Sequence, residues 1–108
     1  MSFALGGRVR TELYIDQGNA ETNKALFDSL LAQKADIEHE FREPLEWERL
    51  DERRASRIAV YREGHIEQSE EKLSDIRGWA TERLLQMKRV LGPRLVRAEK
   101  KVIEQRGA

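Results

Sequence analysis

Residues 44–63, Pro44-Leu-Glu-Trp-Glu-Arg-Leu-Asp-Glu-Arg-Arg-Ala-Ser-Arg-Ile-Ala-Val-Tyr-Arg-Glu63, constrain the fold more than any other stretch. Two short runs of period-2 alternation flank the charged segment Asp51-Glu52-Arg53-Arg54. Leu45, Trp47 and Arg49 alternate with Glu46, Glu48 and Leu50; Ile58 and Val60 alternate with Arg57, Ala59 and Tyr61. Side chains of a strand point to opposite faces in turn, so this pattern predicts a β-hairpin. Long helical patterns lie on both sides of it, which makes the hairpin the expected centre of a sheet.

A second pair of extended runs opens the chain. Ser2–Leu5 and Arg8–Ile15 are separated by Gly6-Gly7, a two-residue turn signal because both turn positions favour positive φ. Val9, Thr11, Leu13 and Ile15 should face the core, and Arg10, Glu12 and Tyr14 the other side. A two-residue turn would pair Phe3 with Arg10 and Leu5 with Arg8, putting both apolar residues on the outer face. A bulge would reset that register, and both arrangements are open.

Asn19 is a suitable N-cap for a helix over residues 20–41, on which Leu26, Phe27, Leu30, Leu31, Ile37 and Phe41 span an arc of about 140°. Lys34 falls inside that arc. Buried without a partner it would cost several kcal/mol, roughly, and Glu38, one turn on, is the nearest carboxylate, making Lys34–Glu38 a candidate buried pair. Pro44 ends the helix through its effect on the preceding residue. Ser69 caps a later helix whose stripe is Leu73, Ile76, Trp79, Ala80, Leu84, Met87, Val90 and Leu91, with Arg83 on the same side. Gly92-Pro93 is expected to stop or kink it. This divides the chain into a ββαββα domain over 1–92 and a basic amphipathic helical tail over 93–108. Gly18 and Gly64, Phe27 and Leu73, and Leu30 and Ile76 recur 46 residues apart, suggesting one ββα plan used twice. The expected fold is α+β: a four-stranded, mainly antiparallel sheet with two helices packed on one face. The core should hold Val9, Leu13, Ile15, Leu26, Leu30, Ile37, Trp47, Ile58, Val60, Ile76, Ala80 and Leu84.

Charge narrows the function classes. Twenty basic and twenty acidic side chains cancel, whereas a dedicated nucleic-acid coat needs a basic excess. The balance is uneven along the chain: residues 63–75 carry five acids against one base, and residues 82–106 eight bases against three acids. Cysteine is absent, which excludes disulfides and thiolate metal sites. No apolar run approaches the ~20 residues of a membrane span, and the start lacks the pattern of a signal peptide. A cytoplasmic setting is expected.

No nucleophile pattern, phosphate loop or metal-ligand spacing is present. A two-metal nuclease centre wants Glu-x-Lys on a strand. The second hairpin offers Glu46-Trp47-Glu48-Arg49 instead, and Glu99-Lys100-Lys101 lies in the helical tail. No catalytic, metal or cofactor residues are assigned. The outer sheet face, with Arg10, Glu12, Tyr14, Glu46, Glu48, Arg57 and Tyr61, is an ordinary solvated surface, a protein-contact surface or a base-stacking surface. The contact reading takes Arg10, Glu12, Tyr14, Glu48, Arg57 and Tyr61 as the interaction face.

Several blocks carry a resemblance: Glu12-Leu-Tyr-Ile-Asp16, Asn23-Lys24, Phe27-Asp28, Gln33-Lys34, Ile37-Glu38, Leu45-Glu-Trp-Glu-Arg-Leu50 and Ser56-Arg-Ile-Ala-Val-Tyr61. Together they resemble the uncharacterised domain of unknown function 4268, from about Arg8 to Arg94. Members look like C-terminal domains that follow a restriction-endonuclease-like module in bacterial proteins. That module is not among these 108 residues, as expected of a fragment, a split gene or a free-standing copy. No catalytic residues are established for the domain, so none carry over. The resemblance implies a non-catalytic accessory or protein-interaction domain tied to a nuclease-type DNA-processing or defence protein, docking on it or forming a homo-oligomer. The alternative is a nucleic-acid-binding module using the Tyr14/Tyr61 face or the basic C-terminal helix. For the isolated domain, weak salt-sensitive duplex binding through Arg94, Arg97, Lys100 and Lys101 is expected.

Overall fold

Alternation along residues 8–15 and 56–63 produces two long strands that form the middle of the sheet. In the computed structural model, which describes the backbone of residues 2–4, 7–64 and 68–107, the elements in chain order are β1 (Ser2–Ala4), β2 (Arg8–Ile15), α1 (Ala20–Leu31), α2 (Lys34–Phe41), β3 (Glu46–Glu48), β4 (Ser56–Glu63) and α3 (Glu70–Gly107). β2 and β4 pair antiparallel over their full length, from Arg8 opposite Glu63 to Ile15 opposite Ser56. β3 joins the outer edge of β4, with Trp47 opposite Ile58. This three-stranded antiparallel unit is extended at its other edge by the three residues of β1, giving the order β1-β2-β4-β3. The two hairpins thus lie back to back about the β2–β4 seam.

The register at β1 differs from a two-residue turn: Phe3 lies opposite Val9 and Ala4 opposite Arg8. One more residue sits in the connection, and Gly7 takes a left-handed φ of 72° within it. Leu5 lies outside the described residues.

The helical layer departs from expectation in three places. The predicted helix over 20–41 is two helices, so the domain has three. Between Leu31 and Ile37 stand only Ala32, Gln33, Lys34, Ala35 and Asp36, so no large apolar side chain holds that turn to the core. The chain tightens there, Gln33 N–H donating to Leu30 O at 2.9 Å, and Leu31 is left exposed. Second, Gly92-Pro93 does not end α3, which continues to Gly107. Proline removes the bond to the Arg89 carbonyl four residues back, but Arg89 and Pro93 both lie on the exposed side, where water can solvate that oxygen. Residues 93–107 are therefore no separate tail, and Ala98 and Val102 are buried with the rest of the core. Third, Leu84 is 39% exposed at the margin of the α3 stripe rather than inside it.

The remaining expected core is in place. Val9, Ile15, Leu26, Leu30, Ile37, Ile58, Val60, Ile76 and Ala80 are buried, with Leu13 and Trp47 partly so. Phe27, Phe41, Met87, Val90 and Leu91 complete it, Phe27 meeting Trp47 edge to face at 6.2 Å. Asn19 caps α1 as expected, accepting from Thr22 N–H at 3.0 Å, and Arg42 closes α2 with φ 71°.

Replacing the fully buried Leu30 by Ala should lower unfolding free energy by about 2–5 kcal/mol. Leu84→Ala should lower it by less than about 1 kcal/mol, since that side chain keeps much of its solvent contact. Urea unfolding followed by circular dichroism measures both.

Candidate interaction face

α1 and α3 pack on β2 or β4 from the side of Val9 and Ile15, and α2 packs on α3, which leaves the reverse side to the residues that alternate outward. Cross-strand register sets them in rows: Arg10 beside Tyr61, Glu12 beside Ala59 and Glu46, and Tyr14 beside Arg57 and Glu48. The six residues expected to form this face are thus brought together. Leu50 is not among them, because β3 ends at Glu48 and Leu50 sits in the following loop at φ 55°.

The face is an ordered charge lattice. Arg57 donates twice to Glu48, from Nη2 at 2.9 Å and Nε at 3.3 Å, and its Nη1 lies 3.6 Å from Glu12. Glu12 also meets Arg10 Nε at 3.0 Å. The Tyr61 hydroxyl donates to Glu48 at 2.6 Å, while the Arg8 guanidinium lies 4.2 Å above the Tyr61 ring. Ala59, set between Glu12 and Glu46, is completely covered. Tyr14 is the exception at 55% exposed.

These contacts shift the groups that make them. Burial pushes the Glu48 carboxyl up, but hydrogen bonds from Arg57 and Tyr61 and the Arg57 charge outweigh it and hold the group below its ordinary value of 4.5. Burial raises the Tyr61 phenol, and its bond to Glu48 raises it further. The Arg57 guanidinium is raised chiefly by its bond to Glu48.

A second polar system joins α1 to the loops behind the sheet. Lys24 Nζ donates to the carbonyls of Arg49, Leu50 (3.0 Å) and Ala55 (2.6 Å) and to Ser56 Oγ (2.9 Å). Its neighbour Asn23 is fully buried: its oxygen accepts from Gln17 N–H at 2.7 Å, and its amide donates to Arg54 O at 2.9 Å. Around them Arg54 pairs with Asp16 through two bonds, and Arg49 with Asp28 through two more, besides contacting Asp51. Arg54 lowers the Asp16 carboxyl, and Arg49 lowers that of Asp28. Composition and periodicity gave no sign of this clamp. The signal was present in the blocks that carry the resemblance, since Asp16, Asn23, Lys24, Asp28, Arg49, Leu50 and Ser56 all fall within them.

The expected Lys34–Glu38 pair does not form. The break after Leu31 leaves Lys34 exposed, and Glu38 turns to the start of β3, accepting from Leu45 N–H at 2.7 Å and Trp47 Nε1 at 3.2 Å. Arg83 lies 2.8 Å from Glu43, and Arg94 lies 2.9 Å from Glu40. Arg94 is thereby withdrawn from the set expected to meet DNA, whereas Arg97, Lys100 and Lys101 are exposed. His39 is exposed, His65 lies outside the described residues, and among the described residues no three metal-ligating side chains cluster. No described helix is long and apolar enough to cross a membrane.

Fold and face define an α+β domain with helices on one side of an antiparallel sheet and a preorganised polar lattice on the other. Its family follows from comparison with known sequences. The chain belongs to the family described as Domain of unknown function (DUF4268), whose model matches residues 1–95. No curated protein and no solved structure matches it.

Two outcomes are expected. Lys24→Met removes a charged donor from three buried-side carbonyls and should cost roughly 1.5–3 kcal/mol, with faster amide exchange confined at first to residues 49–55. Because the folded state depresses the Glu48 carboxyl, its contribution is present above the ordinary glutamate range and is lost as pH falls through the depressed value. Glu48→Gln should therefore flatten the acid limb of the stability–pH curve below about pH 4.5, leave the neutral region in shape and, because Glu48 also raises the Tyr61 phenol, lessen the loss of stability at alkaline pH.

Proposed function

We propose that this chain is a non-catalytic accessory domain that docks on a nuclease-type DNA-processing or defence protein through its outer sheet face. The observation that carries the reading is the lattice itself. Arg57 and Tyr61 are hydrogen-bonded to Glu48, and Arg10 and Arg57 stand within ion-pair distance of Glu12, on a side that no described helix covers. Side chains already ordered lose little entropy on binding, and tyrosine and arginine are favoured at protein contacts. Tyr14, 55% exposed near the end of β2, supplies an anchor. The nuclease-type partner is what the family resemblance implies.

Base stacking on this face is the weaker alternative. The Tyr61 ring is covered by Arg8 and its hydroxyl is held by Glu48, which leaves Tyr14 alone to stack. Glu12, Glu46 and Glu48 also place three carboxylates where a phosphate backbone would run. The exposed cations of α3 support at most a salt-sensitive contact with duplex DNA.

The test is co-expression with a restriction-endonuclease-like protein from the same genome, chosen where its reading frame adjoins that of this chain. Wild type should copurify, and Tyr14→Ser should weaken the measured affinity about tenfold or more, with the helical circular-dichroism signal unchanged. Equal affinity for wild type and Tyr14→Ser, or a partner that ignores both, rejects the proposal.

A further inference from the structure

One edge of the sheet is left open among the described residues. β1 stands beside β2 only from Arg8 to Arg10, with Ser2 opposite Arg10, so no described strand lies against residues 11–15 on that side. The backbone there has a defined direction. Gly7 O accepts from Gly64 N–H, just past the end of β4, which turns the N–H of Arg8 away from β4. The period of two then points the backbone groups of Thr11, Leu13 and Ile15 at β4, and those of Glu12 and Tyr14 at the open edge. Two N–H donors and two carbonyls therefore face outward in the plane of the sheet. The far edge is guarded in the ways natural sheets use, since β3 is three residues long and closely follows Pro44. Residues 11–15 hold no proline and no lysine, and their one charge, Glu12, is turned to Arg10 and Arg57 on the outer face.

Side chains of α3 stand above this edge. Arg83 meets Glu43, Gln86 donates to Phe41 O and Arg94 meets Glu40, so that flank of α3 looks toward α2, which reaches Trp47 of β3 through Glu38. α3 itself packs on β2. At 100° per residue Arg77, Thr81 and Leu84 lie on the opposite flank, above the open side of β2. With Ala80 they line a shallow groove of about 190 Å³, and Leu84 is 39% exposed in it. An extended chain laid against Glu12 and Tyr14 would complete four backbone bonds. Its inward side chains would cover Leu84, and its outward ones would stand beside the exposed Tyr14 ring.

Geometry also selects the occupant. A second copy cannot offer its own β2, because paired strands stand about 4.8 Å apart, packed helices need about 8–10 Å, and an α3 sits on each β2. A copy offering β3 would pair head to tail and leave its own β2 edge open for the next, without closure. What fits is a single strand that brings no helix to the inner side. We propose that the open edge of β2 takes up an extended segment of a partner protein, antiparallel to β2 and in line with β1, with apolar residues alternating inward onto Leu84. The identity of that partner, a nuclease-type protein, rests on the docking reading above; the form of the contact rests on the edge alone.

The probe is a soluble peptide of alternating valine and threonine with a lysine at each end. In the free domain the amides of Glu12 and Tyr14 should exchange with solvent at least about tenfold faster than those of Leu13 and Ile15, which face β4. Saturating peptide should slow the Glu12 and Tyr14 amides about tenfold or more and leave Leu13 and Ile15 unchanged. Opposed residues of an antiparallel pair share a face, so with valine inward it is the threonines that bond Glu12 and Tyr14. N-methylation of the threonine amides should therefore weaken binding about tenfold or more, and N-methylation of the valine amides should be tolerated. Leu84→Glu should weaken binding by a similar factor with the helical circular-dichroism signal intact. Equal effects of the two methylated peptides, no slowing at millimolar peptide, or binding indifferent to Leu84→Glu would each overturn strand addition. A nuclease-type protein that copurifies while the Glu12 and Tyr14 amides stay unprotected would also overturn it, and would leave docking through the face standing. Peptide uptake with the expected pattern, by a domain that such a protein ignores, would support strand addition and reject the docking.

Discussion

The arrangement depends on a lysine ammonium surrounded by backbone oxygen. Lys24 projects from α1 into the loop between β3 and β4, which passes through a left-handed residue at Leu50 and closes a single turn there, Arg53 N–H donating to Leu50 O at 2.8 Å. A loop of this kind carries carbonyls that must find donors. Three of them find one in Lys24, and Asn23 beside it, fully buried, takes Gln17 N–H and Arg54 O. One turn of α1 therefore holds the end of β2, the β3–β4 loop and the start of β4 at once. Hydrophobic contacts press α1 against the sheet, and these directional bonds select one position for it.

That placement reaches the outer face through the strands. Lys24 binds Ser56, and Ser56 starts β4 opposite Ile15. Once those residues are fixed, the period of two puts Arg57, Ala59 and Tyr61 outward and sets Arg57 between Glu12 and Glu48. A shift of one residue would bury Arg57 and expose Ile58. The lattice is thus an outcome of register, and register is secured by polar contacts on the other side of the sheet. The core and the outer face are two readings of the same alignment.

This explains which parts of the fold were legible in the sequence. Alternation in β2 and β4 is strong, so the outward residues, the inward residues and the antiparallel seam could all be read. Periodicity assumes a straight helix, and it failed where the helix is not held. The five residues after Leu31 include no large apolar side chain, so the turn tightened, Lys34 left the buried arc, and Glu38 found Trp47 instead. At Gly92-Pro93 the local signal for a break was real, but the missing hydrogen bond faces water and the packing of Ala98 and Val102 carries the helix on. The Asn23–Lys24 clamp was invisible to hydrophobic pattern, because its meaning lies in backbone atoms that no side-chain period records.

The apparent repetition of the two halves has a physical limit at its matching glycines. Gly18 adopts φ +83°, a conformation that favours glycine, and space above it is open. Gly64 has no such backbone demand: a Cβ there would stand 2.6 Å from Val9 and 2.8 Å from Ile76. One glycine serves conformation and the other serves close approach of α3 to the sheet. The helices that follow diverge accordingly. The first stops at Leu31 and turns back through α2 to Glu43, whose carboxylate meets Arg83 on α3. The second, admitted to the sheet by Gly64, runs on for 38 residues, far beyond what two central strands of eight residues can cover. A helix of that length, about 57 Å at 1.5 Å per residue, necessarily leaves one side along its whole course without a partner from its own domain. The symmetry of the sheet therefore ends at the helices, and it is the asymmetric one that extends past the shared core.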